Sequence, residues 1–254
     1  MPLRDLFGSD WLVPGEWHEH LGILKTGKES EVHLVARHGG GRTALLAEKR
    51  FLDRDRRGFR QDWLYRAPGE HTVRRGVEES ASRREQRAMR KATRFGREAI
   101  ASTWIAREWA NLVHLDGAGA SVPPPVEPIE GGYRMAYIGE RERGAPRLSE
   151  VDLDPAAARR VWRLLLEEIA IFVAADRVHG DLSAYNVLWW RERPVIIDLS
   201  QTVDIVTHPA ARELLERDLT ALGRYFLRRG VEVDLPTALA AVGADAHRFA
   251  RQVS

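Results

Sequence analysis

The run Val178-His179-Gly180-Asp181-Leu182-Ser183-Ala184-Tyr185-Asn186-Val187-Leu188 decides how the chain is read. A long apolar helical pattern precedes it and a short apolar strand follows, so its polar residues fall on a loop. An aspartate and an asparagine at this spacing on a loop suit phosphoryl transfer. The Asp181 carboxylate would accept the proton of an attacking hydroxyl, or orient it, and the Asn186 amide oxygen would hold a magnesium ion. The next apolar run, Val195-Ile196-Ile197-Asp198, sets a second carboxylate at a strand end. Magnesium binds through one or two carboxylates together with substrate phosphates, which makes Asp198 the second expected metal ligand. Taken singly, each of these residues also fits a tight turn. It is the combination that points to chemistry.

Upstream, Gly22 to Val32 reads as two strands joined by a glycine-bearing turn, Gly27-Lys28-Glu29-Ser30. Such a turn can lay backbone N–H groups over phosphates, although it matches neither a Walker A sequence nor the usual GxGxxG. Lys49 lies on the following apolar strand, within Ala47-Glu48-Lys49, from which it can reach inner phosphates and pair with a helix glutamate. An exposed edge-strand lysine is the other reading of that position. Glu108, in Trp104 to Leu112, is the expected partner, with Glu98 as the fallback.

Composition limits the alternatives. The chain has 254 residues, 44% apolar and 30% charged, with a net charge of +2. It is long enough to bury a full core in one large domain or two modest lobes. There is no cysteine, which excludes disulfides, thiolate nucleophiles, zinc fingers and iron–sulfur clusters. No secretory segment is evident at Met1 to Trp11, and the most apolar stretch, Leu164 to Val178, is interrupted by Glu167, Glu168 and Asp176. The expectation is a cytoplasmic protein without membrane contact. Lysine occurs only at 25, 28, 49 and 91, against 39 basic residues in all. That arginine bias implies GC-rich coding DNA of a bacterial type and makes each lysine informative.

The pattern along the chain predicts an α+β fold. Residues 20–52 read as strands, with a hairpin at Gly39-Gly40-Gly41. Residues 99–115 read as a helix carrying Ile100, Trp104, Leu112 and Leu115 on one face, ended by Gly117 and Gly119. Val122 to Val126 reads as an extended proline connector, and Tyr133 to Ile138 as a short strand. After Gly139 the pattern is read as helical. Asp154 and Pro155 cap a helix running to about Ala175. Val187–Trp190 and Val195–Leu199 pair as strands, and helices follow over Pro209–Arg229 and Pro236–Val253. The lobe boundary is expected near Gly139, giving an N-terminal lobe of residues 1–138 and a C-terminal lobe of residues 139–254.

With these motifs assembled, the chain resembles the RIO family of atypical serine protein kinases. The resemblance rests on Thr26-Gly27-Lys28-Glu29-Ser30, on Trp104 to Leu112, on His179 to Asn186 and on Ile196-Ile197-Asp198-Leu199-Ser200-Gln201. It implies a reduced two-lobed kinase-like fold, with an antiparallel-sheet N-lobe and a mainly helical C-lobe, binding ATP and Mg2+, or Mn2+ in its place. By motif position it implies that Asp181 is catalytic, that Asn186 and Asp198 hold the metal, and that Gly27, Lys28, Glu29, Ser30, Lys49 and Glu108 serve the nucleotide. It also implies Met135 at the back of an adenine pocket and the backbones of Ala136 and Ile138 on the purine. Val32 and Ala47 would lie above the ring, with Leu188 and Ile197 below. The metal aspartate itself can be phosphorylated in such proteins, which then behave as ATPases. No long activation segment follows Gln201, which leaves the acceptor open between another protein and the chain itself.

Residues 53–97 depart from the family pattern by their length and charge. Arg54 to Arg97 carries a local net charge of +8. It reads as a solvated insert or as a docking site for RNA or a ribosomal particle. Two other functions remain open at this point. One is a small-molecule phosphotransferase of the aminoglycoside or choline kinase kind, whose second acidic position is here Ser200. The other is an ATP-gated assembly factor that turns over little.

Overall fold

A computed structural model describes residues 3–7, 17–52, 94–140 and 143–243, with the side chains of residues 94–103 left aside. Most of the arginine-rich insert, residues 53–93, and the side chain of Glu98 lie outside the described residues.

Three ten-residue strands open the fold: β1 (Trp17–Thr26), β2 (Ser30–Gly39) and β3 (Arg42–Phe51). Gly40 and Gly41 both take positive φ, 56° and 72°, so the β2–β3 hairpin closes through a two-residue turn whose twist suits right-handed strands. After helix α1 (Arg94–Gly117), strands β4 (Pro125–Ile129) and β5 (Gly132–Ala136) complete an antiparallel five-stranded sheet in the order β1-β2-β3-β5-β4. Two expectations change here. The helix begins earlier and ends later than residues 99–115. The proline connector becomes strand from Pro125 onward, because β4 is an edge strand and an edge tolerates prolines that donate nothing to a ladder.

The stretch after Gly139 is first a tight hairpin, β6 (Gly139–Glu140) and β7 (Arg143–Gly144), and then a 3-10 turn at Leu148–Glu150. It was expected to be helical. Helix α2 (Pro155–Ala174) starts where its cap predicts: the Asp154 carboxylate accepts from the Ala157 N–H at 2.7 Å. The bridge strand β8 (Arg177–Val178) leads into the loop of residues 179–186. Strands β9 (Val187–Trp190) and β10 (Arg193–Ile196) form the expected hairpin. It ends sooner than expected, since Leu199–Gln201 is a 3-10 turn entered through Asp198. Strand β11 (Val203–Asp204) pairs with β8, and helices α3 (Ala211–Leu227) and α4 (Leu235–Ala241) follow. The last helix was expected to reach Val253; among the described residues it ends at Ala241, followed by Gly243 at φ 71°.

One large core joins the two halves. Leu112 and Leu115 of α1 pack in the same cluster as Val161, Leu165, Ile169 and Phe172 of α2 and Leu215, Leu219 and Leu222 of α3. A smaller cluster holds Leu3, Ile138, Trp190 and Val195, and Phe7 stacks on Trp190 at 5.0 Å. The N-terminal 3-10 turn, Leu3–Phe7, thus braces the β9–β10 hairpin against the segment after β5. Among the described residues, no helix is long and apolar enough to cross a membrane.

Candidate active site

Lys49 sits on β3, the middle strand of the sheet, and only 6% of its surface is exposed. Its ammonium donates to Glu108 Oε1 at 2.6 Å and to Asp198 Oδ1 at 3.1 Å. One lysine therefore ties the sheet, α1 and the segment after β10 to a single point. The edge-strand reading of Lys49 is excluded by its central position. Burial alone would lower the lysine, yet the two carboxylates outweigh it and hold its pKa above the ordinary value. Burial pushes Glu108 up against the pull of Lys49. Burial would also raise Asp198, but Lys49, Lys25 and Ser200 reverse the sign and keep that carboxyl below its usual range.

Asp198 adopts a left-handed conformation, φ 67° and ψ 70°. Short polar side chains tolerate this region better than most residues, and the turn it makes stops β10. Across from it, the Asn186 Nδ2 donates to the Asp181 carbonyl at 2.8 Å, which leaves the amide oxygen available. The Asn186 carbonyl accepts from the Ile197 N–H at 2.9 Å, so the loop is pinned to the strand that leads to Asp198. The side chain of Asp181 is exposed. An amide oxygen and an ionised carboxylate on adjoining segments are the hard oxygen donors a divalent cation takes, so Asn186 and Asp198 fit a metal shared with substrate phosphates.

Two residues hold the loop in shape. His179 is buried; its Nε2 meets the Ile197 carbonyl at 3.1 Å, and its Nδ1 accepts from the Asp181 N–H at 3.3 Å. That pattern requires a neutral ring with the proton on Nε2, and burial lowers its pKa in the same sense. Asp218 of α3 accepts from the Gly180 N–H at 2.8 Å and from the Leu182 N–H at 2.9 Å, one bond to each carboxylate oxygen. Gly180 itself takes φ 80° directly against the Gln201 carbonyl, where no side chain fits. This contact is why a glycine precedes Asp181 and why the 3-10 turn after Asp198 packs on the loop.

The remaining expected residues divide into two groups. In the first, pairing of Val32 with Lys49, and of Ala47 with Leu34 and Met135, sets Val32, Ala47, Lys49 and Met135 on one face of the sheet. Leu188 and Ile197 pack against the small cluster containing Ile138. The Ala136 N–H is already committed to the Pro124 carbonyl, and the Ile138 carbonyl to the Ala145 N–H. In the second group, Gly27-Lys28-Glu29-Ser30 forms a turn closed by a 2.8 Å bond from the Gly27 N–H to the Ser30 carbonyl. Lys28 and Glu29 are exposed, and among the described residues neither bonds to the Lys49 cluster.

The sequence reading missed Asp218 and a partly buried polar relay behind the site. Asn111 of α1 donates to the Thr202 carbonyl and accepts from Arg177, whose other nitrogen donates to Asp204 at 2.6 Å. A carboxylate between Leu215, Leu219 and Leu222 on an apolar helix face was the available signal for Asp218.

The family model for the RIO domain matches residues 68–238, more than half of the chain. The chain belongs to the RIO family. Among curated RIO proteins, the RIO-type serine/threonine-protein kinase Rio1 of Thermoplasma acidophilum is 34% identical over 141 residues, covering 56% of this chain and 73% of its own. The Haloferax volcanii Rio1 kinase is 36% identical over 136 residues, 53% of this chain and 46% of that one. Human serine/threonine-protein kinase RIO1 is 28% identical over 217 residues, 84% of this chain and 34% of that protein. Beyond the Thermoplasma protein, the chain thus spans less than half the length of these relatives. RIO membership decides against the aminoglycoside and choline kinase reading. The two-lobed kinase-like fold, with its antiparallel N-terminal sheet and mainly helical remainder, agrees with it.

Proposed function

We propose that the chain is an ATP-dependent RIO-type serine/threonine protein kinase, acting on a protein hydroxyl or on itself. The observation that carries this reading is the Lys49 ammonium held between Glu108 and Asp198, with an exposed Asp181 on the loop whose Asn186 carbonyl accepts from the Ile197 N–H. In this proposal Asp181 orients the acceptor hydroxyl and takes its proton as the terminal phosphoryl group leaves ADP. Lys49, fixed by Glu108, neutralises the inner phosphates. Asn186 and Asp198 hold the divalent cation, Mg2+ or Mn2+, which would supply charge neutralisation between the phosphates. Val32 and Ala47 cover the purine from the sheet, Leu188 and Ile197 support it from below, and Met135 closes the back. Because the Ala136 N–H and the Ile138 carbonyl are taken, the purine would meet the Ala136 carbonyl and the Ile138 N–H.

The test is transfer from γ-labelled ATP with magnesium, with label on serine separated from label on Asp198 by hydroxylamine, which cleaves only the acyl phosphate. Label or released phosphate should appear in the wild type and vanish in Asp181→Asn and with chelator. Turnover that survives both changes would sink the assignment. A second reading, an ATP-gated factor docking RNA or a ribosomal particle, is favoured by the net charge of +8 over Arg54 to Arg97. It predicts RNA binding that falls steeply with salt.

A further inference from the structure

Lys25 helps to keep the Asp198 carboxyl below its usual range but has no part yet in the binding of phosphates. The strand register gives it one. Lys25 on β1 pairs with Val32 on β2, and Val32 pairs with Lys49 on β3. Directly opposed residues of an antiparallel sheet project from the same face, so Lys25 and Lys49 leave the sheet on one side, about 9–10 Å apart along the strand-to-strand direction. Strand β1 carries two register shifts, between His20 and Gly22 and between Ile23 and Lys25, and together they leave Lys25 on the face that alternation from Trp17 gives it.

The charges around Lys25 match that placement. Burial pulls the Lys25 pKa below its ordinary value, Arg147 and Lys49 add to the drop, and Asp198 opposes it. Arg147 comes from the other half of the molecule, bridged to Leu188 of β9. Two cations from opposite sides of the cleft thus repel each other beside a carboxylate proposed as a metal ligand. An anion between them relieves that repulsion. Lys49 already serves Glu108 and Asp198, whereas Lys25 makes no hydrogen bond with any described residue and its side chain is exposed.

We infer that Lys25 is a phosphate-binding residue of the cleft, meeting the terminal phosphate of the nucleoside triphosphate while Lys49 serves the inner ones. This rests on the nucleotide-binding reading above. Lys25 then sets the preference for triphosphate over diphosphate.

The experiment measures calorimetric affinity for ATP, ADP and adenosine with magnesium, in the wild type, Lys25→Ala and Lys25→Arg, alongside melting temperatures without nucleotide. Lys25→Ala should bind ATP about tenfold more weakly, as expected for one charge-assisted contact, with ADP and adenosine unchanged. Lys25→Arg should regain most of the loss, and neither variant should melt differently from the wild type. An equal loss for ATP and ADP, or no loss for either, overturns the inference alone. A wild type that binds no ATP overturns the nucleotide-binding reading and this inference with it.

Discussion

Lys49 and Glu108 stand 59 positions apart in the chain and meet at 2.6 Å, with almost no surface left on either side chain. The pair joins the middle strand of the sheet to α1 in the buried interior, and Asp198 is drawn to the same ammonium from the other half of the molecule. A charge so placed is part of the fold as well as part of the chemistry.

Lys49→Ala is therefore expected to cost stability as well as turnover. Removing one partner leaves Glu108 buried and uncompensated, a loss of about 3–5 kcal/mol. Glu108, already pushed up by burial, would take a proton in that variant. Replacing both partners, as Lys49→Met with Glu108→Leu, should recover most of the stability and none of the activity. Urea denaturation of the three proteins checks this. An unchanged midpoint in Lys49→Ala would mean that water compensates Glu108.

Asp198→Ala should abolish the magnesium-dependent part of the thermal shift given by ATP. The Asp198 carboxylate stays ionised because Lys49 and Lys25 offset its burial, so its oxygens are ready for a cation at neutral pH. The measurement is the melting temperature with ATP, with and without magnesium. A shift equal to that of the wild type would remove Asp198 from the metal site.

The parts of this site that local sequence could show were motifs within one loop or strand. Asp181 and Asn186 lie on one loop, and the Asp154 cap and the β9–β10 hairpin follow from neighbouring residues. Glu108 was legible because a strand lysine asks for a helix partner, which is a chemical expectation and not a spacing. Asp218 was not legible, because its role depends on α3 passing beneath Gly180, a tertiary contact with no local trace beyond a misplaced carboxylate. Lys25 was hidden for a different reason. Its place beside Lys49 depends on how β1 pairs with β2, a register that shifts twice along the strand and leaves no local trace in the sequence. The start of β4 was read as an extended connector because consecutive prolines cannot be helical, and its edge position is what lets Pro125 enter a ladder.

Asp181→Asn should retain ATP affinity and lose turnover by about 10² to 10⁴-fold, since an amide cannot accept the acceptor's proton. The exposed side chain is not needed to hold the loop, which His179, Asn186 and Asp218 pin through backbone bonds. The melting temperature should therefore stay near that of the wild type. Equal loss of ATP affinity and turnover would mean that Asp181 and Asp198 have exchanged roles.

Asp218 supplies a prediction about pH. Burial, reinforced by the nearby Asp181, pushes its carboxyl from 3.8 to about 7, although the Leu182 and Gly180 N–H groups and Arg217 favour the ionised form. Between those two values the folded protein holds a proton there that the unfolded chain has released. Stability linked to Asp218 is then full below about pH 4, declines as pH rises, and is gone above about 7, a change of at most about 4 kcal/mol. Chemical denaturation between pH 4 and 8 should show the wild type losing stability with pH more steeply than Asp218→Asn, which has no proton to lose. Groups common to both proteins cancel in that comparison. Asp218→Ala tests the geometry separately: two buried N–H groups lose their acceptors, at about 1–3 kcal/mol each, and the loop carrying Asp181 should loosen. Parallel pH profiles for wild type and Asp218→Asn would mean that Asp218 is ionised throughout, and that its two backbone donors outweigh its burial.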